Sequence, residues 1–202
     1  MSSKSRPGRV EFPVLLLAAG ASRRMGRAKA LLPLPGGGTL LERALAQARQ
    51  LSPEVRVVAG ARYPLIRFRC RRQPARWLFC ERWPEGLSAS LQAGLDSLGP
   101  NARGVFVLVL DQPLLEFRAL AAMARLARAE PRQPLAADYG GRPGVPAYLP
   151  RELWPAIRGL TGDRGAGQLL AEAGATRLPL AGVRDDVDTP ADWSRVCARL
   201  SR

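Results

Sequence analysis

Two arginines and a lysine follow the first apolar run of this 202-residue chain, in a pattern that could bind phosphate. Residues 14–19 are all apolar, which predicts a buried parallel strand ending at Gly20. The loop of small residues after Gly20 carries Arg23, Arg24 and Lys29. Small residues let backbone N–H groups approach an anion closely, and the basic side chains neutralise its charge. The loop is neither a Walker A nor a G-x-G-x-x-G motif, so we predict a phosphate site of another kind.

Lys29 stands out by composition, because Lys4 is the only other lysine among the 31 basic residues. A lysine ammonium is a compact charge on a flexible stem, which suits a phosphoryl group whose charge moves during reaction. The alternative is an ordinary solvated loop lysine. The surrounding loop favours the phosphate role, which makes Lys29 a candidate catalytic residue together with Arg24.

A carboxylate is predicted at the same edge of the sheet as this loop. The apolar run 104–110 predicts a second central strand, and Asp111 follows it directly. In open α/β sheets ligands collect at the carboxyl ends of the strands, so we expect Asp111 to face the phosphate loop. Asp111 could instead be a turn residue or a helix cap. Its position after a buried strand favours a metal-binding and catalytic role.

Composition restricts the class of protein. A chain of 202 residues with 47% hydrophobic residues fits one domain, which we predict over residues 10–202, behind a disordered tail at residues 1–9. We find no secretory signal and no apolar run of membrane-spanning length. The cysteines, at positions 70, 80 and 197, form no C-x-x-C pair. This pattern fits a reducing cytoplasm and argues against structural zinc.

The chain contains no histidine, which excludes Ser-His-Asp catalysis and H-E-x-x-H zinc sites. Chemistry must therefore rest on carboxylates, lysine, arginine, hydroxyls and a hard metal ion. The net charge of +14 raises the question of nucleic-acid binding. The arginines are scattered, however, with one dense stretch at residues 67–76, and few aromatic residues accompany them. A compositional bias toward arginine is the favoured explanation, and we expect neither a nucleic-acid nor a membrane partner.

Strand and helix patterns alternate along the chain, which predicts a three-layer α/β fold with a mostly parallel sheet. A capping box, Thr39 with Glu42, opens the first helix. Residues 62–72 are ambiguous. Strands are predicted at residues 14–19, 55–59, 77–80, 104–110, 134–137, 144–149 and 176–180. Helices are predicted at residues 39–51, 87–98, 115–129, 166–173 and 190–200.

The segment 17–29 resembles the signature L-x-x-G-x-S-x-R-M-G-x-x-K of nucleotidyltransferases that attach a nucleotide to the molybdenum cofactor. It most resembles the cytidylyltransferase (MocA-like) branch of the MobA-like NTP transferase family, because position 19 is alanine where the guanylyl branch usually has glycine. The resemblance implies a Rossmann-like nucleotidyltransferase fold, Mg²⁺, and CTP and a molybdopterin-type cofactor as substrates. It also implies a cytoplasmic location and a molybdoenzyme or its maturation chaperone as a partner. The implied nucleotide-binding residues of this segment are Leu17, Ala18, Ala19, Gly20, Ala21, Ser22, Arg24, Met25, Gly26 and Lys29.

A second segment, residues 83–94, resembles the family's W-x-x-G-x-x-x-S-L-x-x-G motif beside the nucleotide base. The resemblance implies that Gly86, Ser88 and Ser90 contact the nucleotide. From the residues alone, Gly86 permits a turn and Ser88 is predicted to cap the following helix. Ser90 could bind a ligand or face solvent. Cys80 stands where relatives often carry an asparagine, which is a departure at the base side.

Two further segments resemble parts of the family that bind the acceptor. Residues 144–146 correspond to a Gly-His-Pro, with Val145 in place of the histidine, and residues 162–166 resemble G-D-x-G-A. A glycine-rich entry to a helix is an anion site, although Asp163 could simply cap that helix. The implied acceptor-binding residues are Gly144, Pro146, Gly162, Asp163 and Gly165.

A second metal ligand is wanted, because one carboxylate rarely holds Mg²⁺ against two phosphate groups. Residues 186–192 resemble the family's D-I-D-T-P-E-D, and Asp188 is the candidate. Asp192 is predicted to form a capping box with Thr189, and residues 185–186 are predicted to be a solvated charge run. These local roles leave Asp188 to bind Mg²⁺ with Asp111.

Cytidylyl transfer from CTP to the molybdenum cofactor is therefore the leading function. Guanylyl transfer to the same cofactor, or nucleotidyl transfer to another phosphorylated small molecule, are alternatives. The alternative from another class is a non-catalytic basic protein that binds nucleotides or nucleic acid. The arginine cluster at residues 67–72 supports it, whereas the joint presence of Lys29, Asp111 and Asp188 argues against it.

Overall fold

One seven-stranded sheet organises the molecule, whose computed structural model describes residues 12–163 and 165–201. The tail predicted over residues 1–9 lies outside the described residues. The strands are β1 (Val14–Ala18), β2 (Val55–Ala59), β3 (Arg76–Phe79), β4 (Gly104–Val109), β5 (Leu135–Asp138), β6 (Pro143–Pro150) and β7 (Thr176–Leu178). The helices are α1 (Leu40–Ala48), α2 (Tyr63–Arg69), α3 (Leu87–Asp96), α4 (Phe117–Ala129), α5 (Trp154–Arg158), α6 (Gly167–Glu172) and α7 (Pro190–Leu200).

The strand order is β3-β2-β1-β4-β6-β5-β7. β1 pairs in parallel with β2 and β4, β2 pairs in parallel with β3, and β5 pairs in parallel with β7. Within the described part of the chain, β6 alone runs antiparallel to its neighbours β4 and β5. This arrangement confirms the predicted α/β fold with a mostly parallel sheet. The carboxyl ends of β1, β2 and β4 therefore meet at one edge.

Two hydrophobic cores lie on the two faces of the sheet. Because side chains alternate along a strand, Leu16 of β1 enters one core and Leu15 enters the other. Helices α1, α2, α4 and α7 contribute buried residues to the first core, and α3, α5 and α6 contribute to the second. The result is the three-layer architecture that the alternating pattern predicts. No helix within residues 12–163 and 165–201 is long and apolar enough to span a bilayer.

The helices agree with the sequence pattern except where they are short. The predicted capping box is present at α1, where Thr39 Oγ1 accepts from the Glu42 N–H and Glu42 Oε2 accepts from the Thr39 N–H at 2.8 Å. The ambiguous residues 62–72 contain α2. Helix α5, five residues long, was not predicted, because so short a segment shows too little periodicity to indicate a helix.

Strand β3 is the outermost strand at one side of the sheet, and α2 packs beside it. The ring of Tyr63 on α2 stacks on the ring of Phe79 on β3, with centroids 5.4 Å apart. Phe68 is 84% exposed, and Phe79 is also exposed. The arginine cluster at residues 67–72 lies in α2 and the loop after it, and its arginines are exposed. This side of the molecule is thus both apolar and strongly basic.

Candidate active site

A cavity of about 670 Å³ opens at the carboxyl ends of β1 and β4. It brings together segments that are far apart in sequence. Of the residues predicted from sequence, its walls contain Leu17, Ala18, Ala19, Gly20, Ala21, Ser22, Arg24, Lys29, Gly86, Ser90, Asp111, Asp163 and Asp188. Arg23, named in the sequence as part of the basic loop, also lines the wall, and the wall residues that were not predicted are Trp83, Pro84, Leu87, Val109 and Leu110.

The basic loop folds back on itself directly after β1. Ser22 has a φ of +54°, and a short 3-10 helix, Arg23–Met25, follows it. Gly26 ends that turn with a φ of +71°, a backbone conformation that favours glycine. The Lys29 backbone N–H then donates to Ser22 Oγ at 3.3 Å. This fold places Arg24 and Lys29 on the cavity wall.

Lys29 bridges the two carboxylates that were predicted to bind metal. Its Nζ lies 3.0 Å from Asp111 Oδ2 and 3.0 Å from Asp188 Oδ1, and its side chain is only 10% exposed. Arg24 Nη2 lies 3.0 Å from the other oxygen of Asp188, Oδ2. Four candidates from three distant segments therefore form one charged cluster, as their proposed chemistry requires.

Hydrogen bonds of the backbone fix the position of Asp111 relative to Asp188. The Val187 N–H donates to the Asp111 carbonyl at 2.9 Å, which joins the loop after β4 to the loop before α7. The predicted capping box at Thr189 is present, and Asp192 Oδ2 also accepts from the Asp188 N–H at 3.2 Å. Hydrogen bonds from the Thr189 side chain and backbone lower the pKa of Asp192 to about 2. Asp192 is thus structural, as predicted, and it orients Asp188.

The prediction that residues 185–186 are a solvated charge run is wrong. The Asp185 carboxylate accepts from Arg199, and Asp186 is half-buried. Burial raises the pKa of Asp186, and the neighbouring negative charge of Asp111 adds to the shift. Asp186 was missed because its burial depends on the loop after β4, which is distant in sequence.

The predicted helix-capping role of Ser88 is also wrong. Gly86 is the N-cap residue of α3, with a φ of +108° and no side chain to cap the helix. The first N–H groups of α3 are instead bound by the turn after α5. The Gly162 carbonyl accepts from the Ser88 hydroxyl at 2.7 Å and from the Ser88 N–H at 3.1 Å. Asp163 Oδ1 accepts from the Leu87 N–H at 3.3 Å. Asp163 therefore caps α3 rather than the helix that follows it.

Several predicted binding residues lie outside the cavity wall. Met25 is buried in the hydrophobic core beneath the loop, and Ser88 is buried against Gly162. The others away from the wall are Gly26, which ends the loop turn, Gly144 and Pro146, which belong to β6, and Gly162 and Gly165, which lie beside the start of α3. Ser90, by contrast, is a buried wall residue and does not face solvent.

The segment predicted to bind the acceptor is linked through Tyr139 to Gln112, the residue after Asp111. The Val145 carbonyl accepts from the Tyr139 hydroxyl at 2.6 Å. Burial raises the pKa of Tyr139 to about 12, so the hydroxyl keeps its proton. Gln112, next to Asp111, donates to Tyr139 and to the Val183 carbonyl. Gln112 was not predicted from the sequence, although a glutamine directly after a strand-terminal aspartate was a usable signal.

Gly60 lies very close to Trp83 and to the Ala19 carbonyl, two residues of the cavity wall. A Cβ on Gly60 would lie 2.5 Å from Trp83 and 2.8 Å from the Ala19 carbonyl oxygen, which accepts from the Ala61 N–H. Only glycine fits between the indole and the loop. Trp83 was named in the sequence as part of a motif but was not predicted to be a wall residue.

An open, mostly parallel sheet with a basic loop at the edge where its strands end is an arrangement that suits the binding of a phosphorylated ligand. Residues 14–178 match the family described as MobA-like NTP transferase domain. The chain belongs to the MobA-like NTP transferase family, and it is a nucleotidyltransferase.

Known proteins resemble the chain along nearly its whole length. The purine catabolism protein PucB of Bacillus subtilis is 32% identical over 93% of this chain and 96% of its own. A probable molybdenum cofactor guanylyltransferase of Mycobacterium ulcerans is 32% identical over 90% of this chain and 93% of its own. The crystal structure of Rv0371c from Mycobacterium tuberculosis superimposes with a TM-score of 0.81 at 26% identity, covering 93% of this chain and 97% of that one.

Proposed function

We propose that this protein transfers a cytidylyl group from CTP to a molybdopterin-type cofactor, with release of pyrophosphate and with Mg²⁺ as its metal. The observation that carries the proposal is the convergence of Lys29, Arg24, Asp111 and Asp188 on one cavity. The cytoplasm as location, and a molybdoenzyme or its maturation chaperone as recipient of the product, belong to the same proposal.

The residues of the basic loop would hold the triphosphate. Lys29 and Arg24 supply positive charge, and the backbone at residues 19–22 lines the wall beneath them. The terminal phosphate of the acceptor would attack the α-phosphorus in line, forming a new P–O bond while the bond to pyrophosphate breaks. Such a transfer needs positioning and charge neutralisation more than covalent chemistry from the protein. A chain without histidine can supply both.

The donor set fits a magnesium ion. Asp111 and Asp188 direct carboxylate oxygens at one cation position, which the Lys29 ammonium fills in this structure. Mg²⁺ is usually bound by one or two carboxylates, with phosphate oxygens and waters completing its shell. No group of three or more metal-ligating side chains occurs in the described ranges, so two carboxylates are what the protein offers. When bound, the metal would neutralise charge on the reacting phosphates.

Ala19 supports cytosine as the base. It lines the cavity at the loop position where the guanylyl branch usually has glycine, and its carbonyl is held by the Ala61 N–H at 2.9 Å. A base bound against this position would meet the Ala19 methyl group, which would crowd a purine more than a pyrimidine. The relative named as a probable molybdenum cofactor guanylyltransferase supports the alternative, GTP. Thermal-shift titration with CTP, GTP, ATP and UTP separates the two, because the preferred ligand raises the apparent stability most.

The molybdenum cofactor as acceptor is supported by the same relative's name and by the resemblance at residues 144–146 and 162–166. Asp163 lines the cavity, while Gly144 and Pro146 lie outside its wall. Transfer to another phosphorylated small molecule is the alternative. Pyrophosphate release from CTP that requires both Mg²⁺ and the molybdopterin acceptor would support the proposal.

Asp111→Asn is the variant that tests the site. It keeps the side chain's shape and removes one charged ligand, so we expect turnover to fall by about 10³-fold, a value typical for losing several kcal/mol of metal-assisted stabilisation. Asp185→Asn is the matched control, since Asp185 pairs with Arg199 and lies outside the cavity wall. Full Mg²⁺-dependent turnover by Asp111→Asn would contradict the assignment.

The exposed basic side of α2 favours one second candidate function, the binding of nucleic acid by this nucleotidyltransferase. Residues 67–72 carry exposed arginines, and Phe68 is exposed among them. Tight, salt-sensitive binding to nucleic acid would support this second function.

A further inference from the structure

The Lys29 ammonium occupies the position between Asp111 and Asp188 that a divalent cation would take. Arg24 pairs with the remaining oxygen of Asp188. Two carboxylates are thus matched by two basic side chains, and the formal charges of these four groups sum to zero. The Lys29 side chain is largely buried, so water screens its charge weakly.

We infer that Lys29 is a built-in counter-ion that blocks binding of free divalent metal until a nucleoside triphosphate arrives. The inference rests on the proposed function in one respect, namely that the phosphates of a nucleotide bind the basic loop. It assigns Lys29 a second task besides neutralising phosphate, which is to couple the binding of metal and nucleotide.

The coupling follows from electrostatics. A free divalent ion must either displace the ammonium or sit within a few ångströms of it, where like charges repel strongly. A triphosphate offers the ammonium another anionic partner in the same cavity, because Lys29 and Arg24 both lie on its wall. The flexible four-carbon stem of lysine lets the ammonium move between the two partners.

Once Lys29 turns to the phosphates, Asp111 and Asp188 are free to take the metal. Nucleotide therefore raises the affinity for metal, and by thermodynamic reciprocity metal raises the affinity for nucleotide by the same factor. The phosphate oxygens would also bind the metal directly, so the displacement of Lys29 adds to a coupling that the nucleotide itself provides.

Titration with Mn²⁺ alone, followed by the electron paramagnetic resonance of free Mn²⁺, tests the block in the absence of nucleotide. We expect Lys29→Met to bind Mn²⁺ at least about tenfold more tightly than the wild type, since a buried adjacent charge has been removed. Arg27→Met is the matched control: Arg27 is an exposed residue of the same loop that lies outside the cavity wall, so its removal should change the affinity by about twofold or less. If Lys29→Met binds Mn²⁺ no more tightly than Arg27→Met, the inference fails.

A second measurement follows Lys29 in the wild-type protein itself. The chain has two lysines, so wild-type protein labelled with ¹³C at lysine Cε gives two signals, and Lys4→Arg assigns them. We expect Mg²⁺ alone to leave the Lys29 signal in place, and Mg²⁺ with a non-hydrolysable nucleotide to move it while Lys4 stays unchanged. A shift caused by Mg²⁺ alone, as large as with nucleotide, would overturn the inference.

The two proposals fail in different ways. If no nucleotide raises the melting temperature, the proposed function is wrong, yet the Mn²⁺ titration still decides whether Lys29 blocks free metal. If CTP supports Mg²⁺-dependent pyrophosphate release while Lys29→Met shows no gain in Mn²⁺ affinity, the function stands and the counter-ion role is wrong.

Discussion

Glu42→Gln should destabilise the protein strongly, although it removes a charge and nearly preserves the side chain's size. The buried Glu42 carboxylate joins the start of α1 to the loop after α2. Its Oε2 accepts from the Thr39 N–H at 2.8 Å, and its Oε1 accepts from the N–H groups of Arg71 at 2.8 Å and Arg72 at 3.3 Å. All of these partners are backbone donors.

The size of the effect follows from these contacts. A glutamine keeps one acceptor oxygen and presents an NH₂ group where the other oxygen was, so either Thr39 or the Arg71–Arg72 pair faces a donor. Hydrogen bonds to a charged acceptor contribute about 1.5–3 kcal/mol each, and a buried N–H without an acceptor adds its own cost. We expect the free energy of unfolding to fall by about 2–4 kcal/mol.

The effect should depend on pH in a direction fixed by the pKa. Burial opposes ionisation of Glu42, but the hydrogen bonds from Arg71, Thr39 and Arg72 outweigh it and lower the pKa. A carboxyl whose pKa is lower in the folded state stabilises the fold above its unfolded pKa of about 4.3, and this contribution is lost as the pH falls through the folded value. The difference between Glu42→Gln and wild type should therefore shrink in acid.

Urea unfolding followed by tryptophan fluorescence, at about pH 7 and about pH 3.5, measures both the size and the pH dependence. Glu85→Gln is the matched control, because Glu85 pairs with Arg82 on the surface and such pairs contribute little. Equal unfolding midpoints for Glu42→Gln and Glu85→Gln at neutral pH would refute the reasoning.

Three further predictions concern packing, capping and thiol reactivity. Gly60→Ala should weaken nucleotide binding by about tenfold in a calorimetric titration, because the added methyl group overlaps Trp83 and must displace this wall residue. An unchanged affinity would contradict this prediction. Thr189→Ala should lower the free energy of unfolding in urea by about 1 kcal/mol through loss of the helix cap. Burial raises the pKa of the Cys70 thiol to about 11, so this thiol should react slowly with a disulfide reagent near neutral pH. The partly exposed Cys197 should react first, and peptide mapping of the labelled protein would show the order.

Local patterns predicted the features that depend on neighbouring residues. The run 14–19 indicated a strand buried on both faces, and Thr39 and Thr189 indicated helix starts, all of which the structure contains. Asp111 could be placed at the edge of the sheet because the end of β4 determines its position. These features can be predicted from neighbouring residues and the order of the layers, without knowing the contacts between distant segments.

The remaining features depend on contacts between distant segments. Ser88 bonds to a carbonyl 74 residues away, so no local pattern could show that Gly162 caps α3. Asp186 is partly buried because the loops around Asp111 and Val187 meet, and in sequence it looks like any other residue of an acidic run. In each case the role of the residue depends on contacts with a segment that is distant in sequence, and a local sequence pattern does not show such contacts.

The outer edge at β3 bears on how the protein behaves at high concentration. A strand at the edge of a sheet has unpaired N–H and C=O groups, and a second copy could add to it, particularly where Phe79 is exposed beside it. The exposed arginines at residues 67–72 oppose this association, because two copies meeting at this edge bring like charges together. Salt screens that repulsion over a distance of about 8 Å at physiological ionic strength. The arginine cluster therefore opposes aggregation through this edge, and the repulsion is strongest at low ionic strength.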